Sequence, residues 1–389
     1  MPRKKNATRA DGRIAVQIYL GRDELGKRKY KTVYGATQKE ADEKAESVRV
    51  MLRKGLNITS GNSTFREWSA LWLAVKSTEV SSKQASNYRI YLSHFDNYFS
   101  GLPINKILQA DIQGAILDIA AYNPNTNKPT AKGTLNKLKS TASQVFRFAI
   151  ENRVIDYNPA QNVKIPANAP QGKRRALTVE EQRWIIETEH RAKRAAMIMM
   201  FAGLRRGELI SLLWRDIDLD ERTISISKSA VLANNRFEVK DGAKTAAGIR
   251  VIDIPGILVD YLKSEPRTSL YVCVTANGSI HTETSWRRMW ESYLNELNIK
   301  YGDFSGYGKQ PKSKYDPGGV PFVIPRITPH WLRHTFATLL YFAGVDVMTA
   351  KEQMGHSDIK TLLDIYTHLD KTHKRKAMDK LDEYIAGVI

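Results

Sequence analysis

Four short stretches in the C-terminal half of this 389-residue chain gather the Arg, His, Lys and Tyr residues that could do chemistry. In FAGLRRGELISLLW an apolar helix breaks at Gly203 and a second begins near Glu208, which leaves Arg205 and Arg206 at the junction, where an arginine can grip a phosphate with two parallel hydrogen bonds. In DGAKTAAGIRVIDIP, Lys244 stands in a turn of small residues just before a strand, at a hairpin tip able to enter a groove. In ITPHWLRHTFATLL, Pro329 starts a helix and places His330 and Arg333, three apart, on one face of its first turns, where a helix N-terminus also attracts phosphate. In EQMGHSDIKTLLDIYTHLD, Gly355 and His356 end one helix, Ser357 or Asp358 caps the next, and Tyr366 falls toward its end. Each stretch alone admits a plainer reading: an Arg205–Glu208 ion pair, a solvated turn lysine, a tyrosine on an amphipathic helix. Together they describe a phenol able to attack a phosphodiester among cations that would stabilise both the phenolate and the doubly charged transition state. His330 and His334 have the i, i+4 spacing of a zinc pair, but no acid lies between them and no metal site is expected.

The elements that must position these residues form a third module, which starts where Thr178 and Glu181 make a capping box and mixes helices with strands such as Arg222 to Ser227 and Ile249 to Ile254. Phe336 and Leu340 anchor the His330 helix, a loop rich in Gly, Pro and Lys is expected between Tyr301 and Pro325, and Cys273 in YVCV fills space in a strand as an inert thiol. Upstream, residues 158–172 carry Pro159, Pro166, Pro170 and Gly172 without periodicity and lead into Lys173, Arg174 and Arg175, the pattern of a linker. A second module opens with a Thr64–Glu67 capping box. Its apolar positions keep helical spacing at Phe65, Trp68, Leu71, Trp72 and Val75, at Tyr88, Leu92, Phe95 and Phe99, and at Leu135, Leu138, Ala142, Val145 and Ala149, which predicts a helical bundle with Lys132, Lys137, Lys139 and Arg147 on its other faces. The first 62 residues hold 15 Lys and Arg against 7 Asp and Glu. Alternation predicts strands over 13–20 and 29–34 with Gly21 and Gly26 marking the turn, and a Thr37–Glu40 capping box predicts a helix to about Lys54, ended by Gly55. Arg13, Arg22, Lys27, Arg28, Lys29 and Lys31 stud that ribbon, a groove reader or a merely solvated sheet face.

The expected division is therefore 1–62, a small sheet backed by a helix; 63–160, an all-α bundle; 161–176, a linker; and 177–389, a mainly α mixed domain. A hydrophobic content of 42% with 26% charged residues, and no long uninterrupted apolar run, places no segment in a membrane. The basic N-terminus lacks the apolar stretch of a secretory signal, so a cytoplasmic protein is expected. A formal net charge of +19 and a pI near 9.7 favour a polyanionic partner, and because the basic residues are spread through every segment, nucleic acid fits better than a membrane surface.

In order and character the four stretches resemble the tyrosine recombinases of the phage integrase type, including those of conjugative transposons, and the likeness covers the whole chain. On that resemblance GLRRGEL supplies the first arginine as Arg205 with Glu208 as its supporting acid and excludes Arg206. The lysine is Lys244, His-x-x-Arg is His330 and Arg333, Gly-His gives His356, and the nucleophile is Tyr366. The resemblance implies attack on one strand of double-stranded DNA, a 3′-phosphotyrosine, a released 5′-hydroxyl, and a mirrored attack by a partner strand through a Holliday junction, with no cofactor, metal or ATP. Arg205, Arg333 and His356 would hold the non-bridging oxygens, Lys244 would protonate the leaving oxygen, and His330 would help move the nucleophile's proton. It further implies an arm-site domain, a core-site domain and a catalytic domain, a homo-tetramer on paired sites, and an excisionase or DNA-bending accessory protein, in a bacterial, nucleoid-associated setting. The stripe Met378, Leu381, Ile385 and Val388 would be a last helix docking on a neighbouring protomer or on its own chain. Two rivals remain: a DNA-binding regulator that has lost catalysis, which would lack one of the six residues, and a type IB topoisomerase-like enzyme, against which the separate basic domain argues.

Overall fold

The computed structural model describes residues 12–22, 26–56, 63–123, 127–172, 175–233, 236–241, 249–307 and 321–355. They fall into two compact units, Met1–Gly172 and Lys173–Ile389. No helix among the described residues is long and apolar enough to cross a membrane.

The first unit begins with the antiparallel strands β1 (Ile14–Arg22) and β2 (Arg28–Gly35), backed by helix α1 (Gln38–Arg53). Alternation sends Val16 and Ile18 onto Ala41, Ala45 and Val48 of α1, a small core for a small element. The register slips between Tyr19 and Gly21, a bulge at a glycine with φ of +118°. Thr37 caps α1 by accepting from the Glu40 amide, but the Glu40 carboxylate accepts from the Ala36 N–H, one residue before the position a capping box uses. Gly55, at φ +68°, ends α1 with the Gly55 N–H donating to Leu52 O and the Leu56 N–H to Met51 O, a Schellman closure.

Helices α2 (Phe65–Glu79), α3 (Ser82–Ser93), α4 (Gln109–Ala121) and α5 (Lys132–Glu151) follow. Their core joins Phe65, Phe95, Phe99 and Phe146, with Leu135, Leu138, Ala142, Val145 and Ala149 of α5 fully buried. Leu71 and Val75 do not join it: they are 55% and 51% exposed, because the α2 seam runs through Phe65, Trp68 and Trp72 and these two point off its edge. The proline-rich stretch read as a linker is packed in its first half. Ala160 and Val163 are buried in this core, and the Gln113 amide accepts from the Lys164 N–H while donating to Lys164 O. Its missing periodicity reflects irregular backbone satisfied by side chains, not a free tether.

The second unit opens with α6 (Val179–Glu187) on the Thr178–Glu181 capping box, then α7 (Lys193–Phe201) and α8 (Arg206–Ser211). Strands β3 (Ile217–Asp218), β4 (Thr223–Ile226) and β7 (Arg250–Asp253) make one antiparallel sheet in that order, and β5 (Lys228–Ala233) pairs with β6 (Arg236–Asp241). Helices α9 (Gly256–Ser264), α10 (Glu283–Tyr301), α11 (Pro329–Phe342) and α12 (Val347–Met354) complete the described part. The core gathers α7, the inner face of the sheet and the Trp286, Met289, Trp290 and Tyr293 face of α10, and the Trp290 indole N–H donates to Ile327 O at 2.9 Å, tying α10 to the approach to α11. Cys273 is buried as expected but lies in a bend, not a strand, and burial pushes its thiol up to about 12. The insertion after Tyr301 has anchored ends: Phe304 and Ile324 are buried, and the Asn298 side chain accepts from the Val323 and Ile324 amides.

Candidate active site

The site forms where α7 stops, α8 starts and α12 ends. Gly203 ends α7 in the left-handed region at φ +64°, and a Cβ there would stand 2.3 Å from Phe336 Cδ1 of α11. Only a glycine allows both the turn and that close helix contact. Arg205 is then the N-cap of α8, which starts at Arg206, two residues earlier than the sequence suggested. Gly207, on the first turn of α8, has no room for a Cβ, which would meet Ala230 O at 2.6 Å, so α8 lies directly against β5.

On that frame the Glu208 carboxylate, 5% exposed, holds two guanidinium groups. Arg205 Nη1 donates to Oε1 at 2.7 Å and the Arg205 amide to Oε2 at 2.9 Å. From β7, Arg250 Nη2 donates to Oε2 at 3.1 Å and its Nη1 to Oε1 at 3.3 Å. Burial alone would raise the Glu208 carboxyl, but the hydrogen bonds and charge of Arg250, then the amide and charge of Arg205, outweigh it and hold the group below the usual carboxylate range.

Arg333, on the second turn of α11, is 4% exposed and bridges two helix ends, donating from Nη1 to Gly203 O and from Nη2 to Met354 O. Arg205 Nη2 donates at 2.7 Å to the next carbonyl, Gly355 O. Two arginines 128 positions apart in sequence therefore rest on consecutive carbonyls at the end of α12, where the helix dipole places negative charge. Burial, with the charges of Arg205 and Arg250 nearby, pulls the Arg333 guanidinium down to about 9, which leaves it a cation at neutral pH. Gly355 takes the left-handed C-cap of α12 at φ +60°. Arg205 keeps 43% of its side chain exposed, the most accessible of the three arginines.

Of the residues the sequence singled out, the structure brings together Arg205, Glu208 and Arg333. His330 lies on the same helix as Arg333 but exposed, on the first turn after the Thr328 cap. Lys244, His356 and Tyr366 lie outside the described residues. So do Lys173, Arg174 and the tail stripe from Met378 to Val388. Arg206, set aside on sequence grounds, pairs with Glu283 at 3.0 Å and stacks over Phe237. Arg250 escaped the sequence reading. Its only local sign was an arginine opening an apolar strand, IRVIDIP, where half the positions must be buried.

The basic residues proposed for DNA contact separate into groups. Arg175 commits its guanidinium to the buried Glu181, at 2.5 Å through Nη1, and stacks over Trp331 at 4.6 Å. On α5, Lys132 and Lys139 fall within roughly 20° of one another around the axis, with Arg147 about 60° from Lys132, while Lys137 sits on the far side from Lys139. On the hairpin, Tyr19 and Tyr30 pair across the strands on the face away from α1, with ring centroids 5.6 Å apart, and Arg13 covers Tyr34. Arg22, Lys27, Arg28 and Lys29 are exposed at the turn end. Lys31 pairs with the buried Ile18 and so lies on the α1 side of the ribbon.

Residues 176–373 match the Phage integrase family, over half of the chain, and residues 64–118 match the phage integrase N-terminal SAM-like domain. The chain belongs to the phage integrase family. It is a tyrosine site-specific recombinase, and the multidomain fold expected from the sequence is that of the family. Among curated relatives, the Tyrosine recombinase XerC-like protein of Caldanaerobacter subterraneus subsp. tengcongensis is 28% identical, the match covering 95% of each chain. The ICEBs1 integrase of Bacillus subtilis is 26% identical, covering 96% of this chain and 98% of its own. In fold, this recombinase is similar to the Tn1549 transposon integrase solved with transposon right end DNA, at a TM-score of 0.63 and 20% identity over 82% of this chain and 99% of that one. It is also similar to the lambda integrase tetramer bound to a Holliday junction, at a TM-score of 0.54 and 18% identity over 95% and 98%.

Proposed function

We propose that this recombinase cuts and rejoins double-stranded DNA at paired attachment sites, with Tyr366 as nucleophile, and so integrates and excises a mobile element. The carrying observation is the placement of Arg205 and Arg333 on the last carbonyls of α12, immediately before His356, with Glu208 buried between Arg205 and Arg250. Fixed guanidinium groups of this kind suit a scissile phosphate, because donors held in place before charge develops stabilise the transition state without reorganising. The Tyr366 phenolate attacks phosphorus, a phosphorus–oxygen bond to the tyrosine forms, and the bond to the 5′-oxygen breaks. Lys244 protonates that oxygen as it leaves as a 5′-hydroxyl, and His330 helps take the phenol's proton. Arg205, Arg333 and His356 hold the non-bridging oxygens. The 3′-phosphotyrosine is then attacked by the 5′-hydroxyl of a partner strand, which restores the phosphodiester and frees the tyrosine. Bond energy is conserved, so the residues need no cofactor.

In this reading residues 1–62 bind arm sites, 63–160 grip the core site, and 177–389 perform catalysis, in a homo-tetramer built on two DNA sites. An excisionase or DNA-bending protein decides direction, and the work is done at the bacterial nucleoid, in the cytoplasm. The DNA-bound transposon integrase and the tetramer on a Holliday junction among its fold relatives support DNA as substrate and a tetramer as the active form. The test is a duplex bearing the element's own ends, nicked near the cut so that the freed strand is lost, incubated with wild type and with Tyr366→Phe. A covalent adduct on denaturing gels with wild type alone supports the reading. Tight binding with no adduct from either protein makes the chain a regulator, and relaxation of DNA lacking attachment sites makes it a topoisomerase.

A further inference from the structure

We infer that Arg250 is a positioning residue for strand cleavage, setting the guanidinium of Arg205 from behind without touching DNA itself. The inference rests on the reading of Arg205 as an arginine that holds the scissile phosphate. Arg250 spends Nη1 and Nη2 on the two Glu208 oxygens and Nε on Gln353 O, so all three guanidinium nitrogens face the groups behind Arg205. It touches both groups that hold Arg205. One is Glu208, each of whose carboxylate oxygens accepts from Arg250 as well as from Arg205. With both oxygens bonded from two directions, the carboxylate cannot rotate without losing a bond on each side. The other is Gly355, whose carbonyl accepts from Arg205 and whose missing side chain leaves the space Arg250 fills: a Cβ there would stand 2.6 Å from Arg250 Nη1.

Arg250 also fixes the end of α12. Its Nε donates to Gln353 O at 3.1 Å. Three residues along β7, the Asp253 amide donates to Gln353 Oε1 at 3.2 Å and Gln353 Nε2 donates to Asp253 Oδ2 at 2.9 Å. The strand that follows Lys244 in sequence is thereby latched to the helix end that precedes His356. A site of this kind needs its charged groups held to within about 0.5 Å, and supporting contacts supply that precision.

Single-turnover cleavage of the nicked duplex by full-length protein, at saturating protein, tests the inference. The variants are Arg250→Met and Arg250→Lys, with Arg205→Ala as control. Two substrates are used, one with an ordinary scissile phosphate and one with a methylphosphonate there. The methylphosphonate lacks the negative charge that a misplaced Arg205 would fail to hold. The Lys variant keeps a charge against Glu208, so it should fold, but a single ammonium cannot span both carboxylate oxygens and Gln353 O. Both variants should bind the duplex as wild type does and cleave the phosphate up to about 100-fold more slowly, the cost of misplacing a group at the reacting centre by about 1 Å. On methylphosphonate the deficit should shrink to within about threefold of wild type, as it should for Arg205→Ala. Phosphate cleavage by the Lys variant at the wild-type rate would overturn the inference, and an equal deficit on both substrates would leave Arg250 a purely structural role. Normal cleavage by Arg205→Ala would instead remove the premise that Arg205 holds the scissile phosphate, and with it the inference, while the dependence of cleavage on Tyr366 tests the proposed function separately.

Discussion

Replacing Glu208 by Ala should destabilise the unit spanning residues 173–389 more than any surface change there. The substitution leaves Arg205, Arg250 and Arg333 facing one another without an anion. Arg250 is 7% exposed and loses a partner that is 5% exposed, and breaking a buried pair by removing one member costs about 3–5 kcal/mol because the other charge stays buried. Arg205 is 43% exposed, so water screens its half of the arrangement and adds at most about 1 kcal/mol. For a unit of this size each kcal/mol moves the melting temperature by about 2–4 °C, so the Ala variant should melt roughly 6–24 °C lower. Glu208→Gln keeps an acceptor for the Arg205 amide and should recover part of the loss. Scanning calorimetry of the full chain measures both. If the Ala and Gln variants melted within about 2 °C of wild type, Glu208 would not be the counter-ion that holds these arginines.

Gly203→Ala should cost about 2–5 kcal/mol, from placing an L-residue at φ +64° and from the clash with Phe336, and it should slow cleavage as well, because Gly203 O is one of the two carbonyls that hold Arg333; chemical denaturation and the adduct assay read the two effects. The Glu208 carboxyl is held below its usual 4.5, so the stability it contributes is present above about pH 4.5 and is lost as pH falls through its folded value. The melting temperatures of wild type and Glu208→Gln should therefore converge in acid, and a constant gap from pH 7 to 3 would contradict the ion-pair account. Arg175→Ala should lower the melting temperature while leaving the salt dependence of DNA binding unchanged, since its guanidinium serves Glu181 and Trp331; a drop of about one in the log–log salt slope would mark it instead as a phosphate contact.

Local chemistry made much of this legible. The Thr64 and Thr178 capping boxes, the α5 spacing and the break at Gly203 each depend on residues a few positions apart, and the structure has them where the pattern places them. The GLRRGEL and HxxR stretches are readable for the same reason, although what joins Arg205 to Arg333 is a helix end, Met354 and Gly355, that neither of these two stretches contains. Arg250 was not legible: its link to Glu208 spans 42 positions, and nothing near it in sequence asks for a counter-ion. Leu71 and Val75 failed differently. Helical spacing tells which residues share a face, not how wide a strip of that face meets a partner. Glu40 and the packed half of the proline-rich stretch turn on single hydrogen bonds that composition does not encode.

The three carbonyls under the arginines, those of Gly203 and Met354 beneath Arg333 and of Gly355 beneath Arg205, all belong to the main chain, and Glu208 is the one side chain among the described residues that joins them in holding Arg205. No substitution at Met354 can delete its carbonyl. The seat of Arg333 is thus inherited as a path of the backbone, protected by two glycines, while that of Arg205 adds the Glu208 carboxylate to it. Lineages can drift to the 26–28% identity seen in this chain's relatives and lose most of their side chains in common without any mutation deleting the oxygens that grip Arg333. Divergence in this fold is therefore free to act on what the DNA surface reads, while the seat of Arg333 changes only if the chain is rerouted.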